Sequence, residues 1–460
     1  MKTFAIHTLG CKVNQYESQQ IGQLLAEFGL IFAPAGTCAD LVVINTCCVT
    51  SIASSKSRQS IRKAQKLHPS AAIVIAGCLP AGDADEMSNI DGNVHVVAEK
   101  DDLAKSIEAL ITSSNAGLAA CDTKSDTTLT VSENINKNPQ IGPNHSRTNS
   151  PPEIKHKAAL RPLKFYSGQS RAFLKVQDGC DGYCSYCIIP KIRKNVCNKN
   201  VKTILEETAN LVKAGHKEIV LTGIFLGAYG HDTVRRKKWP PEAKNAFTDM
   251  LEKVAAVEGL ARIRLSSLEP GDVTEKLLDV FCRHRNIMPH LHLPLQSGSQ
   301  RILKKMCRQY NIAEFLETIE RVRTRLDRPA ITTDIIVGFP GETDEDFQQT
   351  YDFAKKVAFS KIHVFSFSPR KNTPAAKMHP TVDPRTIKER SKRLRNLDTR
   401  LQKKFRDQFI GQTVPVLIEK VDDNTQTATG RCERYFPLTL TAADSEKPLE
   451  IAGIVETTVV

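Results

Sequence analysis

Apolar positions along this chain fall into two alternating stretches separated by a polar break. In residues 1–112 the short runs Phe4-Ala5-Ile6, Leu41-Val42-Val43-Ile44 and Ile73-Val74-Ile75 read as buried parallel strands. Between the first two, Ile21, Leu24, Leu25 and Phe28 recur at helical spacing. They predict a helix that Asn14 and Glu17 open as a capping box and Gly29 ends. Strand–helix–strand order implies right-handed crossovers and an α/β domain with a parallel sheet. Residues 113–168, rich in Ser, Asn, Thr, Lys and Pro, read as a linker. The alternation resumes at Arg171, with candidate strands at 172–176, 218–221, 262–265, 290–293, 332–337 and 361–367. About six βα units over 169–380 suggest a partial (β/α)6 barrel, with 231–247 as a polar surface insertion. A helix over 385–406 follows, within a connection at 381–410. Period-two alternation from Thr413 then predicts a small antiparallel β-barrel over 411–460.

Composition narrows the class. The 460 residues suffice for two to four domains, and 40% apolar with 25% charged residues is ordinary for a globular protein. No apolar run is long enough to span a membrane, and Met1–His7 lacks the apolar core of a signal peptide, so a cytoplasmic protein is expected. The formal net charge of +13 favours a polyanionic partner, most simply nucleic acid. The predicted 385–406 helix concentrates that charge, with Ile387, Leu394, Leu397, Leu401 and Phe405 marking one apolar face. A solvated helix covering the barrel is the alternative reading, and the two are compatible.

Thirteen cysteines in such a chain favour metal ligation and free thiols over disulfides. Cys180, Cys184 and Cys187 are spaced C-x3-C-x2-C just beyond the first predicted barrel strand. Three thiolates at that spacing can hold an iron–sulfur cube while leaving one iron without a protein ligand, and an open coordination position is where a metal site does chemistry. The C-terminal face of a (β/α) barrel is also where such folds place their sites. Cys11, Cys47 and Cys78 share no spacing, yet each follows the end of a predicted strand of the first domain. Their thiols should therefore meet at one crevice, with Gly10 and Gly77 permitting the turns. Three buried packing cysteines are the alternative. Cys48 should point elsewhere, and Cys38, Cys121, Cys197, Cys282, Cys307 and Cys432 match no pattern.

The Cys180–Cys187 motif matches the radical S-adenosylmethionine signature. With the first trio and the terminal small barrel, the chain resembles the radical-SAM methylthiotransferases: an N-terminal methylthiotransferase domain, a radical-SAM barrel and a TRAM domain. The string His7-Thr8-Leu9-Gly10-Cys11-Lys12-Val13-Asn14 is similar to the branch acting on N6-threonylcarbamoyladenosine in tRNA. Further matches are Leu221-Thr222-Gly223-Ile224, Arg264–Pro270, His292–Ser299 and Asp334–Glu342. Lys191–Cys197 departs from the usual Gly-Arg-rich stretch, and Phe225 stands where a His is common.

The resemblance implies two [4Fe-4S] clusters, one per trio, and S-adenosylmethionine contacted by Thr222, Gly223, Ser266, Glu269, Gln296, Val337 and Gly338, with Tyr183 and Tyr186 shielding the barrel cluster. It implies a 5′-deoxyadenosyl radical that takes hydrogen from adenine C2, a carbon no acid or base can activate, and transfer of a methylthio group to that carbon. The implied partners are tRNA and an electron donor such as flavodoxin or ferredoxin, for a monomer. Two alternatives stay open: a sibling acting on isopentenyladenosine or a ribosomal protein, and a non-catalytic RNA binder with zinc in its cysteine trios.

Overall fold

The structure is a computed structural model that describes residues 1–34, 36–82, 87, 90, 92–119, 160–239, 245–422, 424–441 and 449–460. Most of the predicted linker, and Cys121 with it, lies outside them.

The N-terminal domain is a five-stranded parallel sheet: β1 (Thr3–Thr8), β2 (Ile31–Phe32), β3 (Leu41–Thr46), β4 (Ala72–Gly77) and β5 (Val94–Val96), in the order β2-β1-β3-β4-β5. Every residue of β3 is buried, as expected of a strand covered on both faces. Helices Lys12–Glu27 (α1) and Ser51–Leu67 (α2) follow β1 and β3.

The predicted capping box is not one. Helix α1 starts at Lys12 with Cys11 as its N-cap, three residues before Asn14. Asn14 lies inside the first turn and donates to the carbonyls of Leu9 at 2.9 Å and Thr46 at 2.8 Å, stitching the β1 loop to the end of β3. Glu17 is buried in an ion-pair network instead.

Six parallel strands form the partial barrel: β6 (Arg171–Asp178), β8 (Glu218–Gly223), β9 (Arg262–Leu265), β10 (His290–His292), β11 (Ala330–Val337) and β12 (Lys361–Ser366); the two-residue β7 (Cys197–Asn198) pairs antiparallel to β6. Isolated bridges Ile263–Ile287 and Ser267–His292 carry the sheet across from β9 to β10. The helix Pro384–Asp407 starts at an Asp383 cap with Pro384 at its first position. Its buried Leu394, Leu397, Leu401 and Phe405 form the packed face, and Asp398 accepts from Lys361 Nζ at 2.9 Å and Ile362 N at 2.7 Å at the start of β12. Of its cations Arg390 is buried, against Glu342 and Asp344, and the others are exposed.

The terminal segment is a four-stranded antiparallel sheet: β13 (Thr413–Asp422), β14 (Thr427–Cys432), β15 (Pro437–Thr441) and β16 (Ile454–Thr458), in the order β15-β14-β13-β16. Its β14–β15 turn plugs the N-terminal end of the barrel. Arg264 donates to the carbonyls of Cys432 at 2.7 Å and Glu433 at 2.9 Å, and Arg262 to that of Pro415 at 2.8 Å. Arg171, Arg264 and Arg431 surround the ring of Tyr435 at 5.2, 4.9 and 4.6 Å from its centroid.

Candidate functional site

In the N-terminal sheet the register aligns Thr8 with Asn45 and Asn45 with Ala76, so the three central strands end together. Cys11, Cys47 and Cys78 lie just beyond those ends, and their thiols lie close enough to bias one another's ionisation. The turns depend on glycine. Gly10 has φ +103°, and a Cβ there would stand 2.7 Å from Cys47 Cβ; Gly77 has φ +91°, and a Cβ there would meet Asn45 Oδ1 at 2.5 Å. Burial pushes the Cys78 thiol up to about 12 and raises that of Cys47. Cys48 points away, its Sγ 3.1 Å from the carbonyl of Cys78.

The second trio occupies the loop after β6, where Cys180 senses the thiol of Cys184 and Cys187 senses both others. Burial pushes both of these thiols up to about 12. Arg308 donates to Cys184 Sγ at 3.2 Å and ion-pairs with Glu269 at 2.6 Å. The loop is pinned at several points. Asp181 accepts from Thr233 Oγ1 at 2.7 Å and Val234 N at 2.8 Å, and Ser185 N donates to the carbonyl of Met306 at 3.1 Å.

Residues 231–239, expected as surface insertion, are instead part of the wall of this site. His231 and Val234 are buried, His231 stacks on Trp239 at 3.9 Å, and Arg236 pairs with Asp272 at 2.7 Å and Glu269 at 3.4 Å. Residues 240–244 of the predicted insertion lie outside the described ones.

A network of buried charges, which Lys100 reaches from the surface, joins the two trios. Lys100, Lys175 and Arg193 each pair with both Glu17 and Asp178, at 2.8 to 2.9 Å. Arg193 also donates to Asn14 Oδ1 at 3.2 Å and bonds the Cys78 thiol. Its backbone carbonyl accepts from Cys180 N at 2.9 Å, so one residue touches both cysteine loops. The network counts three cations against two carboxylates, an excess of one positive charge beside the first trio. The three cations hold both carboxylates below the usual carboxylate range against the opposing effect of burial. The sequence pattern gave no sign of this network.

The other expected site residues ring the C-terminal end of the barrel. Thr222 and Gly223 end β8, where Gln177 fills the space beside the glycine and its Oε1 accepts from Phe225 N at 2.8 Å. Ser266 is buried with no partner for its Oγ among the described residues. The Glu269 carboxylate is occupied by Arg308 and Arg236. Gln296 holds φ 63° and bonds β11 through its backbone. Val337 ends β11 and Gly338 follows it, where a Cβ on Gly338 would stand 2.4 Å from Ile387 Cγ1 of the C-terminal helix. Tyr183 is 62% exposed under the Arg235 guanidinium at 4.0 Å, whereas Tyr186 packs inward with Arg308 3.4 Å from its hydroxyl.

Below this mouth lies a cavity of about 580 Å³ inside the barrel, bounded by inward-facing strand residues and by Tyr435. Lys12, Asp334, His292 and His363 line it, and the ligand atoms of the last three all lie within 4.8 Å of one another.

Two family models match: Radical SAM superfamily over residues 174–354 and Uncharacterized protein family UPF0004 over 3–99. The chain is 35% identical over 93% of its length to Threonylcarbamoyladenosine tRNA methylthiotransferase MtaB of Bacillus subtilis, covering 87% of that protein. This chain belongs to the radical-SAM methylthiotransferase family. It is also 33% identical over 94% of its length to tRNA-2-methylthio-N(6)-dimethylallyladenosine synthase of Corynebacterium efficiens, covering 78% of that protein. Among solved structures it shares the fold of the radical S-adenosylmethionine methyltransferase TsrM from Kitasatospora setae, with TM-score 0.53 and 14% identity, covering 82% of this chain and 77% of that one. The superfamily implies one [4Fe-4S] cluster and S-adenosylmethionine. Among the described residues, no helix is long and apolar enough to cross a membrane.

Proposed function

We propose that this enzyme adds a methylthio group to C2 of N6-threonylcarbamoyladenosine in tRNA, using two [4Fe-4S] clusters, one held by Cys11, Cys47 and Cys78 and one by Cys180, Cys184 and Cys187. The observation that carries the reading is the pair of three-thiol sets linked through Arg193 in a chain 35% identical to a protein bearing that name.

The residues present suit such groups. Buried thiols held near 12 need a bound cation to lose their protons, and each set leaves one cluster iron without a protein ligand. The first trio also faces the N-terminus of α1, where the helix dipole favours negative charge. When bound, the barrel cluster supplies the electron that cleaves S-adenosylmethionine and the other carries the sulfur.

The protein's own part is binding, orientation and exclusion of water. The Glu17–Arg193–Asp178 network fixes the first domain over the barrel mouth. Arg308 and Glu269 orient the Cys184 side, and Tyr186 shields it. Thr222, Gly223, Ser266, Gln296, Val337 and Gly338 form the S-adenosylmethionine rim. The exposed cations of Pro384–Asp407 and the C-terminal sheet hold tRNA phosphates, offsetting the few kcal/mol needed to unstack the target base. In this reading the units are 1–112, 169–380 and 411–460, joined by 113–168 and 381–410. They work as a cytoplasmic monomer supplied with electrons by a flavodoxin or ferredoxin. The 33% identity to the dimethylallyladenosine synthase supports the isopentenyladenosine sibling as a second reading.

Anaerobically reconstituted protein should hold about eight irons per chain and cleave S-adenosylmethionine when reduced, and Cys184→Ala should abolish cleavage. Zinc in place of iron, or cleavage retained in that variant, would refute the proposal.

A further inference from the structure

Each arginine or lysine lining the barrel cavity has a carboxylate within 4 Å, with one exception. Arg171 and Arg264 share Glu218 at 3.5 and 2.9 Å, Arg431 meets Glu419 at 3.3 Å, Arg434 meets Asp327 at 3.1 Å, and Lys361 meets Asp398 at 2.9 Å. Asp334 lies 3.3 Å from His292 Nε2. Lys12 Nζ, which also lines the cavity, has no hydrogen-bond or ion-pair partner among the described residues. It is partly buried beside Asp334 and Tyr435. A lysine ammonium partly withdrawn from water with no carboxylate in contact costs free energy, which a bound anion would recover.

Position adds to this. Lys12 follows Cys11, so the start of α1 ties its ammonium to the first cysteine trio. An adenine presenting C2 to the trios carries its N6 substituent on the opposite side of N1, directed away from them. The cavity of about 580 Å³ is open there and falls in the range of about 300–1,000 Å³ typical of small-ligand sites. A threonylcarbamoyl group brings one carboxylate and one hydroxyl. An isopentenyl group brings neither.

We propose that the barrel lumen receives the N6 substituent of the target base, that Lys12 ion-pairs with its carboxylate, and that Lys12 thereby selects an acidic N6 group over a hydrocarbon one. The proposal rests on the methylthiotransferase reading. Asp334, steadied by His292, is the acceptor for the substituent's hydroxyl. A site built around a polar group discriminates strongly against an analogue lacking it, because its own polar atoms are then left unpaired.

The test is equilibrium binding of three nucleosides to reconstituted full-length protein: N6-threonylcarbamoyladenosine, its methyl ester and N6-isopentenyladenosine. The wild type should bind the acid about ten- to a hundredfold more tightly than the ester. Lys12→Met should remove that preference while leaving the ester's affinity unchanged, and Lys12→Arg should restore part of it. With tRNA substrate, Lys12→Met should raise KM more than it lowers kcat. Equal affinity of the wild type for acid and ester would overturn the proposal without requiring any variant to fold, as would equal weakening of both ligands in Lys12→Met. The function itself fails separately, if the wild type prefers N6-isopentenyladenosine and methylthiolates tRNA carrying it.

Discussion

Arg193 carries more of the site than any other single side chain. It pairs with Glu17 and Asp178, bonds Asn14 and Cys78, and receives Cys180 N on its carbonyl. Truncating Arg193 removes charge-assisted hydrogen bonds, each worth about 1.5–3 kcal/mol, although Lys100 and Lys175 still neutralise the two carboxylates. Arg193→Ala should therefore lower Tm by several degrees and lose iron from the first trio before the second. Iron per chain should fall from about eight toward four while S-adenosylmethionine cleavage persists. Unchanged iron and Tm would remove Arg193 from this role. None of this was readable locally, since Arg193 and Glu17 are 176 positions apart. The same distance explains the misread cap. An Asn–Glu pair three residues apart fits a capping box, and nothing nearby signals that Cys11 opens the helix and frees both side chains for tertiary partners.

Elements were far more legible than contacts. Strands β1, β3 and β4 stood out as short apolar or β-branched runs, and the C-terminal helix by its stripe from Leu394 to Phe405. Cys11, Cys47 and Cys78 follow the ends of β1, β3 and β4, positions that were legible because strand ends in a parallel sheet have a predictable neighbourhood. Segment 231–239 was misjudged because polarity was read as exposure, whereas its Thr233 and Arg236 serve Asp181, Glu269 and Asp272. The C-terminal helix uses its apolar face for packing and leaves exposed cations, including Lys388, Lys392 and Arg395, for another partner. Reversing Lys392 and Arg395 to Glu should weaken tRNA binding and flatten its salt dependence by about one unit of slope per lost phosphate contact. S-adenosylmethionine cleavage without tRNA should stay intact. An unaltered salt slope would leave the helix with a packing role alone.

At the scale of the whole chain, three folded parts enclose one chamber. The first domain covers the C-terminal mouth of the barrel, and the terminal sheet closes the opposite end through Tyr435 and the carbonyls that Arg262 and Arg264 bind. The sequence announced the three parts through changes of period and the break between them. It did not announce the plug, because that depends on guanidinium-to-carbonyl bonds spanning more than 150 positions. The chamber has meaning only if both thiol sets act on a single adenine. Mass spectrometry of tRNA nucleosides from a strain lacking this gene tests that most directly. The expected result is loss of 2-methylthio-N6-threonylcarbamoyladenosine with accumulation of its unthiolated precursor, reversed by the wild-type gene and not by a Cys184→Ala copy. A nucleoside profile unchanged by the deletion, or one altered only at isopentenyladenosine, would contradict it.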